Sequence, residues 1–162
     1  MAIKASLIFN NTGKPRLMQW YQQQMDVRTQ QETLKEIFRL VSNRPDSACN
    51  FLEGSALIGG NDTKIIYRVN DPDTAFLSSP LYFVFVVDSS ESELGILDLI
   101  QVLVEVLDKA FVNVCELDLI FRPDDVSSIL SEIVSGGMVL ETNLPQICDV
   151  LTAKNEINLR TR

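Results

Sequence analysis

The groups in this chain that could do chemistry are carboxylates, thiols, clustered serines and one glycine-lysine pair, because histidine is absent altogether. That absence removes the commonest general base, triad member and metal ligand at once. Cys49, Cys115 and Cys148 lie far apart, without the paired spacing that zinc needs, and an odd number of thiols cannot all pair internally. Reduced thiols of a cytosolic protein are the expectation. Gly13-Lys14 lacks the earlier glycine of a phosphate-binding loop, and Pro15 stands where the loop's Ser or Thr would be. Ser89, Ser90 and Ser92 have no activating base nearby in sequence and read as helix-capping groups. Glu116 and Asp118 fit a solvated face better than an acid-base pair. No catalytic residue, metal or cofactor is expected, and the chain does not read as an enzyme.

What remains is binding. A net charge of -8, from 14 basic and 22 acidic side chains, opposes nucleic acid or anionic lipid as a partner over a broad surface. Any basic site must be small and local. The opening residues, MAIKASLIFN, have neither the long apolar stretch nor the cleavage site of a signal peptide. Asp88, Glu91, Glu93 and Asp98 interrupt the longest apolar run well before the roughly 18–20 residues of a membrane span. The triplets Asn10-Asn11-Thr12 and Asn61-Asp62-Thr63 read as turns.

The elements follow from periodicity. Ile3 to Asn10 alternates as a half-buried strand, and Asn11-Thr12-Gly13 supplies a turn into a second strand over Arg16 to Tyr21. Thr29-Gln30-Gln31-Glu32 has the form of a capping box; Leu34, Ile37, Phe38 and Val41 then recur at helical spacing up to Arg44-Pro45. Phe51 to Ile58 and Thr63 to Val69, separated by Gly59-Gly60-Asn61-Asp62, predict a second hairpin. Asn70 to Pro80 is an exposed loop. Leu81 to Val87, apolar at every position, predicts a central strand, and Ser90 to Glu93 a cap for the next helix.

That helix, Glu93 to Phe111, confines most of its polar residues to Asp98, Gln101, Glu105 and Asp108, on one narrow stripe. So wide an apolar face wants cover on two sides, and the excess predicts a second, larger protein partner. Val114 to Phe121 is ambiguous between strand and short helix. Pro123 opens another helix, with Val126, Ile129, Leu130 and Ile133 on one face and Gly136-Gly137 at its end. A last helix is predicted over Leu144 to Asn155, with a frayed tail beyond. The order gives an α+β fold, a five-stranded, mainly antiparallel sheet flanked by α-helices, in one domain over residues 1–155.

Four stretches carry a resemblance: Asn10-Asn11-x-Gly13-Lys14-Pro15-Arg16-Leu17, Cys49-Asn50-Phe51-Leu52-Glu53, Val87-Asp88-Ser89-Ser90-Glu91-Ser92-Glu93-Leu94, and Asn113-Val114-Cys115-Glu116-Leu117-Asp118-Leu119-Ile120-Phe121. The chain resembles the small, or sigma, subunits of clathrin-type heterotetrameric adaptor complexes. With Gly136-Gly137-Met138-Val139-Leu140-Glu141-Thr142, the resemblance is strongest to those of adaptor-protein complex 3. It implies a longin-like fold and no enzymatic activity. It also implies a seat against a delta-type large subunit, beside beta-type and mu subunits. The location implied is cytoplasmic, peripheral on Golgi or endosomal membranes, in sorting toward lysosome or vacuole.

The resemblance further implies recognition of cargo tails carrying an acidic residue, three of any kind, then Leu-Leu or Leu-Ile. By motif, Leu81, Val104, Asn113, Val114 and Leu119 would take the two leucines, and Arg16 and Arg68 the acidic residue. A stand-alone longin-type trafficking regulator without cargo binding is the alternative. Fusion proteins of that kind carry a heptad segment and often a membrane anchor after the domain, neither of which is expected here.

Overall fold

In the computed structural model, residues 3–21, 26–44, 50–54, 62–70, 80–111, 116–135 and 138–139 are described. The order is β1 (Ile3–Asn10), β2 (Pro15–Trp20), α1 (Val27–Ser42), β3 (Phe51–Glu53), β4 (Thr63–Asn70), β5 (Leu81–Asp88), α2 (Glu93–Phe111), α3 (Glu116–Phe121), α4 (Pro123–Ile133), β6 (Val134–Ser135) and β7 (Met138–Val139). The first five strands form one sheet in the order β2-β1-β5-β4-β3, every neighbour antiparallel. The uninterrupted apolar run of β5 therefore occupies the middle of the sheet, where both faces are dry.

Alternation along β5 divides its side chains between two cores. Leu81, Phe83, Phe85 and Val87 join Ile66 and Ile8 against α2 and α4. Val84 and Val86 join Ala5, Leu7, Phe9, Ile65 and Tyr67 against Leu34, Ile37 and Val41 of α1. On the α1 side, Phe9, Phe38 and Tyr82 form an aromatic trio: Phe9 stacks on Tyr82 at 5.3 Å and meets Phe38 edge-on at 5.5 Å.

Several expectations are corrected. α1 starts at Val27, and its cap is Asp26, whose carboxylate accepts from the Thr29 amide at 2.9 Å. Thr29 is thus inside the first turn, because an Asp three residues earlier offers the same bond at a position with extended backbone. At the start of α2 the capping oxygen comes from Ser92, within the expected Ser90–Glu93 stretch, accepting from the Gly95 amide at 3.3 Å. The ambiguous stretch before Pro123 is helical from Glu116. α4 ends at Ile133, three residues before Gly136, and Val134–Ser135 turns back to pair with Met138–Val139. β3 is a strand over Phe51–Glu53 only; the rest of its expected run, the loop from 71 to 79, and the last predicted helix with its tail lie outside the described residues.

The largest correction concerns α2. Its Ile96, Leu99, Ile100, Leu103, Val104, Val106 and Leu107 are all buried within the chain itself. The sheet covers one side, through β4 and β5, and α4 covers the other with Val126, Ile129, Leu130 and Ile133. Most of the wide apolar face is therefore covered within the chain, while Leu94 stays 75% exposed. Periodicity reports that a face must be covered and is silent about what covers it.

Two carboxylates tie helix starts to solution pH. The Thr29 hydroxyl and amide bonded to Asp26 hold its carboxyl below the usual range. Bonding from Lys64, at 2.8 Å, and from its own backbone amide does the same for Glu93. A depressed folded-state pKa means stability that is present above the ordinary carboxylate range and lost as pH falls through the depressed value. Denaturant titrations from pH 7 downward should therefore show stability falling below about pH 4. Asp26→Asn and Glu93→Gln should each flatten part of that fall while changing the neutral-pH value far less than a core substitution.

Candidate functional site

Of the residues singled out for binding, Leu81, Val104 and Leu119 belong to the apolar core on the sheet face covered by α2 and α4. Leu81 opens β5, opposite Asn10 of β1 and Asn70 of β4. Leu81, Val104 and Leu119 are 2%, 4% and 1% exposed, so β5, α2 and α3 each contribute one fully buried side chain to that core. Leu17 of β2 joins them, a residue that sequence reading passed over. It is the one buried position of β2. Asn113 and Val114 lie outside the described residues.

The two arginines flank Leu81. Arg68 stands directly opposite Phe83, two residues along β4 from Ile66. Strand alternation therefore puts Arg68 on the same face as Ile66, Phe83 and Leu81. It is half-buried. Arg16 lies on the other side, two strands from β5, roughly 10 Å at the usual strand spacing.

Arg16 owes its position to a bulge. Leu17 pairs with Ile8 and Pro15 with Phe9, so Arg16 is the extra residue of β2 in the register with β1. A bulge re-aims a side chain that strict alternation would have sent elsewhere. No reading of one strand could reveal it, since register belongs to the pair.

The turn before the bulge is fixed from within. The Asn10 side-chain oxygen accepts from the Thr12 amide at 3.0 Å, the Thr12 hydroxyl at 2.8 Å and the Lys14 amide at 2.9 Å. Gly13 has φ 83°, and a Cβ there would meet Phe38 of α1 at 2.9 Å. The turn thus reaches across to α1, which holds the start of β2 in place.

At the far side of the site, the Arg122 guanidinium lies 5.0 Å over the Phe111 ring and bonds Asp125 at 2.7 Å. One residue thereby ties the end of α2 to the start of α4 at the junction with α3. Among the described residues no group of three or more Cys, Asp or Glu could hold a metal ion. Nor is any helix there long and apolar enough to cross a membrane. The arrangement suits an apolar ligand with a nearby negative charge.

A central antiparallel sheet with a helix on one face, two on the other and a short helix at the sheet's end defines a class in which comparison is specific. Residues 2–158 match the family described as clathrin adaptor complex small chain, and the protein belongs to that family. Among its relatives is the AP-3 complex subunit sigma-2 of Homo sapiens, 57% identical over 155 residues, covering 96% of this chain and 76% of the relative. The AP-3 complex subunit sigma of Schizosaccharomyces pombe is 54% identical, covering 96% of this chain and 86% of the relative. That of Arabidopsis thaliana is 44% identical with the same coverage. A chain in a structure described as a homology model of the full-length AP-3 complex in a stretched open conformation superposes with a TM-score of 0.72 at 40% identity, covering 98% of this chain and 96% of that one. The five-stranded sheet with its flanking helices is the fold of these small subunits.

The turn geometry gives a direct test. Gly13→Ala must adopt a left-handed backbone and displace Phe38, which should cost about 1–3 kcal/mol. Equilibrium unfolding of the variant against the parent chain measures this, and in a double-mutant cycle Gly13→Ala should cost less in a Phe38→Ala background than in the parent, because the clash is gone.

Proposed function

We propose that this chain is the small subunit of an AP-3-type vesicle-coat adaptor, seated against a delta-type large subunit in a complex with beta-type and mu subunits. In this reading it is not an enzyme. It helps sort membrane cargo from Golgi or endosomal membranes toward the lysosome or vacuole, and it reaches the membrane through its complex. Its relatives' names and the matching of nearly the whole chain support the assignment.

Within the complex it recognises cargo tails bearing an acidic residue followed, after three others, by Leu-Leu or Leu-Ile. The observation that supports this is that Leu81, Val104 and Leu119 belong to one apolar core, with Arg16 on a bulge to one side of Leu81 and Arg68 on the same sheet face to the other. Asn113 and Val114 complete the leucine-binding set by motif. The energetics suit a short linear ligand. Burying two leucines is worth about 1.5–3 kcal/mol each in gross transfer terms. Ion pairs to the half-buried Arg16 and Arg68 add about 1 kcal/mol each and discriminate for the acidic residue.

The test is calorimetric titration of an acidic dileucine peptide into the assembled complex. Val104→Ala, which keeps the buried site free of charge, should weaken binding about tenfold, consistent with the loss of one to two buried methyl groups. Unchanged affinity in an assembled complex would remove Val104 from the site. Arg16→Ala should weaken binding up to about fivefold at low salt, with the difference shrinking toward 0.5 M salt as screening removes the pair. An effect indifferent to salt would assign Arg16 a packing role.

A further inference from the structure

Asn10 touches both halves of the proposed site. It ends β1 directly opposite Leu81, so the two residues project to the same side of the sheet from backbones about 4.5–5.5 Å apart. Toward the β1–β2 turn it makes a cluster of bonds. Its amide donates to the Lys14 carbonyl and its own carbonyl accepts from the Gly13 amide, both at 3.1 Å. The side-chain oxygen adds the Thr12 amide, the Thr12 hydroxyl and the Lys14 amide, and does so from a position only 7% exposed.

The consequence falls on Arg16. It follows the clamped Lys14 by two residues and lies between Pro15, paired with Phe9, and Leu17, paired with Ile8. Pro15 has no N–H to give to the ladder, so the strand is least constrained by its own pairing just where the extra residue is accommodated. Asn10 holds the bulge from the turn side and Leu17 from the strand side. Arg16 is also engaged elsewhere in the fold; what the turn decides is where its backbone lies.

We propose, building on the cargo-binding reading above, that Asn10 is a positioning residue: it fixes the separation between Leu81 and Arg16, and so selects how many residues lie between a ligand's acidic residue and its leucine pair. β2 and β5 are two strand spacings apart, roughly 10 Å. The step of four residues from the acid to the first leucine spans at most about 13–14 Å when extended, so this separation is within reach. One residue more or fewer changes the reach by about 3.3 Å, enough to take a carboxylate out of contact with a guanidinium.

Calorimetric titration of the assembled complex at low salt tests this with four peptides. Three carry an acidic residue separated from Leu-Leu by two, three or four others; the fourth has the three-residue spacing with Gln in place of the acid. The unmodified complex should favour the three-residue spacing by up to about fivefold, the size of one ion pair. Asn10→Ala should reduce that preference to about twofold or less while binding the Gln peptide as before, whereas a role in core stability alone would weaken all four together. In an Arg16→Ala background, Asn10→Ala should have no further effect on the preference. Thr12→Val, at an exposed position, deletes only the 2.8 Å hydroxyl bond and should lower the preference in the same direction; it carries the test where Asn10→Ala does not assemble. A preference that survives these variants, or a uniform loss across the four peptides, would overturn the proposal. Dileucine binding by the unmodified complex without regard to spacing would overturn it too, and leave the leucine site standing. Binding of none of the peptides would overturn the cargo-binding reading, and this inference with it.

Discussion

The antiparallel pairing of β5 between β1 and β4 is the constraint from which the rest of the structure follows. A strand buried on both faces forces every residue of Leu81–Asp88 to choose a side, and the choice alternates. Odd-numbered residues from Leu81 to Val87 require one apolar layer and Val84 and Val86 another, so helices must cover both faces. α1 supplies one layer; α2 and α4 supply the other. The site lies where this strand begins, so Leu81 is at once the first residue of the core and the floor of the candidate binding volume.

Much of this was legible in the sequence, for identifiable reasons. The run Leu81 to Val87 has no polar residue, and it folds as the central strand. α2 starts and ends where its periodicity begins and fails, at Glu93 and Phe111. Pro123 opens α4 as its fixed φ suggests. Errors arose where two devices could do the same job, as with Asp26 and Thr29, or where the deciding contact lay far along the chain, as with the cover that α4 gives α2. The four-residue hairpin formed by β6 and β7 escaped notice because Gly136-Gly137 reads equally well as a helix terminus and as a turn.

The site was legible in part. Leu81, Val104 and Leu119 come from three elements separated by many residues and belong to the same apolar core. Arg68 shares their face because β4 keeps strict alternation at that point. Arg16 is set by a bulge, whose location depends on the pairing of β1 with β2 and cannot be written in either strand alone. Leu17 is not singled out by sequence because Leu17, Met18 and Trp20 break strict alternation in β2, and which of them is buried depends on neighbours across the fold.

The contact between Gly13 and Phe38 has a wider consequence. The two cores share no residue, so the sheet acts as a partition, and a change of volume in one layer has no packing route into the other. The β1–β2 turn goes around the edge of that partition. Through it the α1 layer, remote from the candidate site and making no contribution to its walls, sets the anchorage of the strand that carries Arg16. Drift in the size or tilt of the residue at position 38 is thus a way for related chains to diverge in the placement of a surface charge while every apolar wall of the site is preserved.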